Sequence, residues 1–188
     1  MEECMTPDTD DAQLLGRIAA GDRRAFETLY RGYFPRLSRF VGRMARSAPL
    51  IEEVVNDTML VVWQKAASYD GSCKPSTWIF AVAYRKTLKA LKQSDEPVES
   101  DASLYEDEGE QQPEQVLSRQ QLQHTVADAL DALPAAQRAV MVLTYYHDMA
   151  YSDIADIVEC PLNTVKTRMF HARHRLKDLL WTERENSR

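Results

Sequence analysis

Apolar residues recur at helical spacing along most of the chain. Leu14, Leu15 and Ile18 open the series; Phe26, Leu29, Tyr30, Tyr33, Leu37, Phe40, Val41 and Met44 extend it. Ile51, Val55, Met59 and Val62 form a third stripe, and Phe80, Tyr84 and Leu91 a fourth. Leu117, Leu122, Val126, Leu130 and Leu133 share one face, as do Val140, Leu143 and Tyr146. Ile154, Ala155 and Val158, then Val165, Met169, Ala172 and Leu176, complete the pattern. Intervals of three and four place each set on one side of a helix, and the first half shows no strand-like alternation. The pattern predicts an all-α protein.

Polar residues and breakers punctuate the stripes. Asp10 or Asp11 is placed to cap the first helix, Gly21 with Asp22 to end it and start the next, and Pro35 to bend that second helix. Ser76 or Thr77 restarts helix after the loop YDGSCKPS, and Pro134 ends the helix that begins the second half. Ser152 caps a short helix, Pro161 stops it, and Asn163 or Thr164 caps the last one. Two helices across so tight a turn make a helix-turn-helix, with Ala155, Cys160 and Val165 as the small or apolar residues their crossing requires. Glu159 stands at the turn position where glycine commonly supplies a positive φ.

Charge divides the chain. Its net charge is −6, yet nine acidic residues and no basic ones lie between positions 94 and 114. The remainder sets 23 basic residues against 20 acidic ones, a net of +3. The acidic stretch holds two prolines and few apolar residues, so an extended, self-repelling tether is expected. The expectation is two small helical domains joined by an acidic flexible linker: residues 10–93, a linker at 94–115, and a four-helix domain with the helix-turn-helix at 116–182.

Three faces carry candidate chemistry. On the last helix Lys166, Thr167, Phe170, His171 and His174 point away from the apolar stripe, with Arg168, Arg173 and Arg175 on the flanks. Long donors with a hydroxyl and a ring suit base edges and thymine methyls in a major groove, and flanking arginines suit phosphates. A basic helix that only keeps a domain soluble has the same pattern. Opposite the Ile51 stripe stand Glu53, Asn56, Asp57, Leu60 and Gln64. A leucine among acids and amides suits docking on a basic protein, and a solvated face with one stray leucine is the plainer alternative. Between Gly71 and Gln93 there are five basic residues and no acid, with Arg85, Lys89 and Lys92 aligned and Tyr69 and Trp78 nearby. Rings that stack bases beside cations that hold phosphates make a single-strand nucleic-acid site; both aromatics would equally suit a core.

Other functions find no support. Cys4, Cys73 and Cys160 are far apart, the four histidines show no metal pairing, and no glycine follows Gly109 to build a phosphate loop. Neither a Ser/His/Asp set nor paired carboxylates stand out, so no enzyme, cofactor or metal is expected. No apolar run approaches the roughly 18 to 20 residues of a membrane span, and MEECMTPDTDD lacks the character of a signal peptide. A cytoplasmic protein is expected.

Four stretches in order resemble the extracytoplasmic-function (ECF) sigma factors of bacterial RNA polymerase: DAQLLGRIAAGDRRAFETLYRGYFPRL, EEVVNDTMLVVWQKAASYDG, STWIFAVAYR and LPAAQRAVMVLTYYHDMAYSDIADIVECPLNTVKTRMFHARHRLKDLL. The variable linker before the last also matches the family, as does the lack of the central domain of larger sigma factors. The resemblance implies a factor that directs core RNA polymerase to promoter DNA. It implies that Glu53, Asn56, Asp57 and Leu60 grip the polymerase's clamp helices. Ser72, Lys74 and Ser76 in the loop, with Arg85 and Lys89 behind them, would meet the melted −10 element. Asn163, Lys166, Thr167, Arg168, Phe170 and His171 would read the −35 element as duplex. An anti-sigma factor is an implied partner. Arg85 and Lys89 stand where the family often has asparagine and aspartate, and His171 where arginine is frequent.

Overall fold

A computed structural model describes residues 7–93 and 124–186, with side chains from 10 to 93 and 124 to 181. Every regular element among them is helical. The first half comprises α1 (Pro7–Ala19), α2 (Arg23–Met44), α3 (Ala48–Lys65), a 3-10 turn at Ala66–Ser68, and α4 (Pro75–Gln93). The second comprises α5 (124–131), α6 (Ala135–Tyr145), α7 (Tyr151–Ile157) and α8 (Leu162–Asn186). The 94–115 linker, Leu117 and Leu122 lie outside the described residues.

The apolar stripes go inward as their spacing requires. Ile51, Val55, Met59 and Val62 are buried, as are Phe80 and Tyr84, Val140 and Leu143, and Val165, Met169 and Ala172. Gly21 closes α1 at φ 87°, which glycine alone adopts without steric cost. Asp22 then caps α2, accepting from the Arg24 and Ala25 amides at 2.9 and 3.2 Å. The Arg17 guanidinium bonded to its carboxylate, with these amides, holds the Asp22 pKa below the usual range. Helix α2 runs through Pro35 without a break.

Several helix starts differ from the sequence expectation. Helix α1 begins at Pro7, and Asp11 does not cap it; its carboxylate accepts the Tyr33 hydroxyl at 2.6 Å. Helix α4 starts at Pro75 rather than at Ser76 or Thr77, because proline has no amide to leave unsatisfied in a first turn. Ala150 precedes α7, which places Ser152 inside it, and α8 starts at Leu162, which places Asn163 and Thr164 in its first turn. Tyr146 is 40% exposed rather than inward, with the Arg43 guanidinium 4.4 Å over its ring.

The two halves close on each other, α2 against α6 and α4 against α7. Their buried residues form one continuous cluster. At one end Arg138 donates to the Met44 carbonyl of α2 at 3.2 Å and pairs with Asp131 at 2.9 Å, while Arg46 pairs with Asp131 and with Asp128. In the middle the His147 ring packs edge-on against Phe80 at 4.9 Å and Phe40 at 6.0 Å. At the other end Lys74 pairs with Asp153 at 2.9 Å and Arg85 pairs with Glu159. A tether alone, as the linker's composition implies, would not place these groups together.

Candidate functional site

The outer face of α3 presents what its sequence pattern promised. Leu60 is 51% exposed, although the helix buries Ile51, Val54, Val55, Thr58, Met59 and Val62 on its other side. Glu53 and Asn56 are exposed and Asp57 is half-buried. Two of these groups already have partners: Asn56 accepts the Tyr30 hydroxyl at 2.9 Å, and Asp57 pairs with Lys86 of α4 at 2.8 Å. Helical periodicity passes over Lys86, because a lysine 29 positions away leaves no local signal.

The loop between the 3-10 turn and α4 is built by the side chains that could have been core or contact. Tyr69 donates to the Cys73 carbonyl at 2.5 Å and lies 5.7 Å from the ring of Trp78, both half-buried. Asp70 accepts the Ser72 amide at 2.9 Å, and the hydrogen bonds from Ser72 lower its pKa. Gly71 takes φ 76° between them. Ser72 and Lys74 are thereby exposed at the loop's rim, and Ser76 is half-buried in the first turn of α4. Further along, Arg85 and Lys89 line a shallow cleft with Lys86, floored by Val61 and Val82. Three cations around two valines fit a phosphate chain with its sugars or bases beneath.

The helix-turn-helix is held by its turn. Glu159 sits at φ 51°, and the Cys160 amide reaches back to the Ala155 carbonyl at 3.1 Å, a helix ending that usually calls for glycine. Beyond it Asn163, Lys166, Thr167, Phe170 and His171 are all exposed on one side of α8, with Phe170 58% exposed. The Phe170 ring lies edge-on to His174 at 4.4 Å and to His171 at 5.6 Å, so the three form one aromatic ridge. Thr167 donates to the Asn163 carbonyl at 2.9 Å. Arg168 differs from its neighbours: it is half-buried and turns back toward Cys160 Sγ at 3.5 Å. Tyr145, 54% exposed, accepts from Arg173 at 2.7 Å and holds that guanidinium beside the ridge.

These surfaces coincide with known family regions. Sigma-70 region 2 matches residues 29–96, from within α2 to beyond α4, and Sigma-70 region 4 matches residues 123–176, from α5 into α8. The ECF RNA polymerase sigma factor RpoE of Cereibacter sphaeroides is 30% identical over 83% of this chain and 86% of its own length. The chain belongs to the ECF sigma-factor family. Two solved structures share the fold. CnrH in complex with the cytosolic domain of CnrY aligns at TM-score 0.71, 22% identical, over 92% of this chain and 98% of that one. The sigma factor RpoE with the anti-sigma factor NepR from Bartonella quintana aligns at 0.66, 23% identical, over 82% and 96%.

As a sigma factor the protein directs RNA polymerase in transcription initiation, with region 2 and region 4 as its DNA-binding regions. Its partners are core polymerase and promoter DNA. Members of the family are not enzymes. Among the described residues no helix is long and apolar enough to cross a membrane, and no group of three or more His, Cys, Asp or Glu is arranged to hold a metal ion.

Proposed function

We propose a division of labour among the three faces. Glu53, Asn56, Asp57 and Leu60 dock on core polymerase. Ser72, Lys74, Ser76, Arg85 and Lys89 hold and read the melted −10 strand. Asn163, Lys166, Thr167, Arg168, Phe170 and His171 serve the −35 duplex, with Arg168 acting by bracing the turn at Cys160. Residues 10–93 and 116–182 act as separate modules once on the polymerase, and residues 94–115 span the distance between them. The protein works in the cytoplasm, and an anti-sigma factor restrains it; the support for that restraint is the fold shared with a sigma factor solved with one.

The observation that carries this reading is Leu60, half exposed on a helix whose opposite side is fully packed. An apolar side chain left half exposed there has area still to bury, and its burial against a partner would strengthen docking. Leu60→Glu tests it: helical circular dichroism should match wild type while pull-down with core polymerase is lost. Asp57→Arg is the less clean variant, since it also breaks the Lys86 pair. A Leu60→Glu protein that binds core undiminished would move the docking surface elsewhere.

A further inference from the structure

Helix α2 carries a row of arginines that are held in different ways. Arg46 pairs with Asp131 and Asp128, and Arg36 lies against the buried rings of Tyr33 and Phe80, 4.9 and 5.6 Å from their centres. Between them Arg39 and Arg43, one helical turn apart, meet no carboxylate among the described residues, whereas Arg17, Arg31 and Arg85 each do. Arg39 is exposed, and its Nε donates to the Pro35 carbonyl at 3.3 Å. Arg43 is half-buried, 4.4 Å over the ring of Tyr146. Tyr146 follows Tyr145 at the end of α6, and Tyr145 accepts from Arg173 of α8 at 2.7 Å, with that guanidinium 5.7 Å from its ring centre. Arg173 is exposed and likewise meets no carboxylate among the described residues. Two consecutive exposed tyrosines therefore join cations of α2 to a cation of α8 on one surface that both halves build.

We propose that Arg39, Arg43 and Arg173 form a track for the phosphate backbone of duplex DNA, held in place by Tyr145 and Tyr146. The track rests on the reading of α8 given above and extends it: Arg173 borders the exposed row of Lys166, Phe170 and His171, and a duplex seated on that row runs its backbone past Arg173 and over the two tyrosines to α2. A guanidinium held by a carboxylate is already neutralised. One held by a ring or a carbonyl keeps its full charge, and being held beforehand it loses less freedom on binding. Guanidiniums set on rings turn their N–H edges outward, which suits phosphate oxygens. With a net charge of −6 the whole chain repels a polyanion, so gathered cations without acids of their own decide where one settles. Backbone contacts of this kind position a duplex and carry no sequence information. In this packing the free protein grips duplex DNA through both halves, reading bases with α8 and holding only phosphates with α2.

Fluorescence anisotropy of a labelled mixed-sequence duplex, titrated with the full chain alone over a range of salt concentrations, tests the track. Each phosphate contact contributes about 0.9 to the slope of log affinity against log salt, so Arg39→Gln with Arg43→Gln should flatten the wild-type slope by about 1.8 and Arg173→Gln by about 0.9. Arg39→Lys with Arg43→Lys keeps both charges and should keep most of the slope, which separates lost phosphate contacts from lost folding. Tyr146→Leu frees Arg43 without removing its charge and should weaken binding by about twofold to fivefold, the fold-change that an exposed cation–π contact is worth. No measurable duplex binding by wild type at low salt, or an unchanged slope in the Arg39→Gln, Arg43→Gln protein, overturns the proposal. If that protein loses affinity for poly-glutamate while its duplex slope is unchanged, the surface takes an acidic peptide and the phosphate track falls. Lys166→Ala with His171→Ala tests the α8 reading by itself, and undiminished duplex binding by that variant removes α8 as a DNA face. Weakened binding there, beside an unchanged slope in the α2 variant, leaves the α8 reading standing and overturns the track alone.

Discussion

On α8 the ridge of Phe170, His171 and His174, with Lys166 and Thr167, faces away from the protein, whereas on α4 Arg85 and the neighbouring Lys74 face acids from the other half. Both surfaces are basic, and both follow an amphipathic helix with a well-packed inner stripe. They differ in where the chain's own carboxylates fall. Helix α8 has its own cation held in place by a neighbour of the same half, as Tyr145 holds Arg173, while Arg85 and Lys74 are engaged by Glu159 and Asp153 of the other half. One face stands open in this packing, and the other meets the chain's own acids.

The contrast breaks most severely at Arg138. From α6 it bridges the Met44 carbonyl of α2 and Asp131 of α5, with its side chain only 14% accessible. Arg138→Ala leaves that carbonyl and part of the Asp131 carboxylate without a partner, at about 3 kcal/mol for a buried pair broken from one side. Urea titration should show the loss, and the two halves should cease to unfold in one transition. A midpoint within experimental error of wild type would mean that Arg138 does not couple them.

Acid should separate the same halves through His147. Burial against Phe40 and Phe80, and the positive Arg36 and Arg39 of α2, lower its pKa from 6.5 to about 4. A histidine with a depressed folded pKa takes up a proton on opening, so its neutral packing is fully favourable above pH 6.5. That contribution is lost as pH falls from 6.5 toward 4, by about 3 kcal/mol in all. Urea titration should show wild-type stability falling across this window, and His147→Phe, which keeps a ring but cannot titrate, should flatten the profile. The α8 face takes no part in this change.

The smallest expected effect sharpens the contrast from the other side. His171→Ala should change which −35 sequences are preferred, by about 1 kcal/mol at one base position, and leave stability unaltered because the residue is exposed. Competition binding of the full chain with core polymerase against a randomised −35 duplex pool measures it. An unchanged ranking of sequences would remove His171 from base reading.

Much of the architecture was legible because helical burial has a period. The stripe of Ile51, Val55, Met59 and Val62 announced α3, its inner face and, by exclusion, the exposed Leu60. The Gly21–Asp22 boundary and the positive φ demanded of Glu159 were legible for a similar reason, since each follows from local backbone geometry. Helix starts near Ser76, Ser152 and Asn163 were misplaced by one to three positions. There a proline or a bare backbone opened the helix, where a side-chain cap was expected.

What the chain alone decided, then, is everything that depends on neighbours within a few turns: helices, their buried stripes, and the residue types on each outer face. The tertiary structure alone decided which outer faces meet. Arg85 and Glu159 are 74 positions apart, and Lys74 and Asp153 are 79 apart. His147 carries no periodic mark that would send it between two phenylalanines of the other half. Charges and single polar rings show no spacing rule across such separations, because their pairing depends on distances in space that form only after the helices have packed.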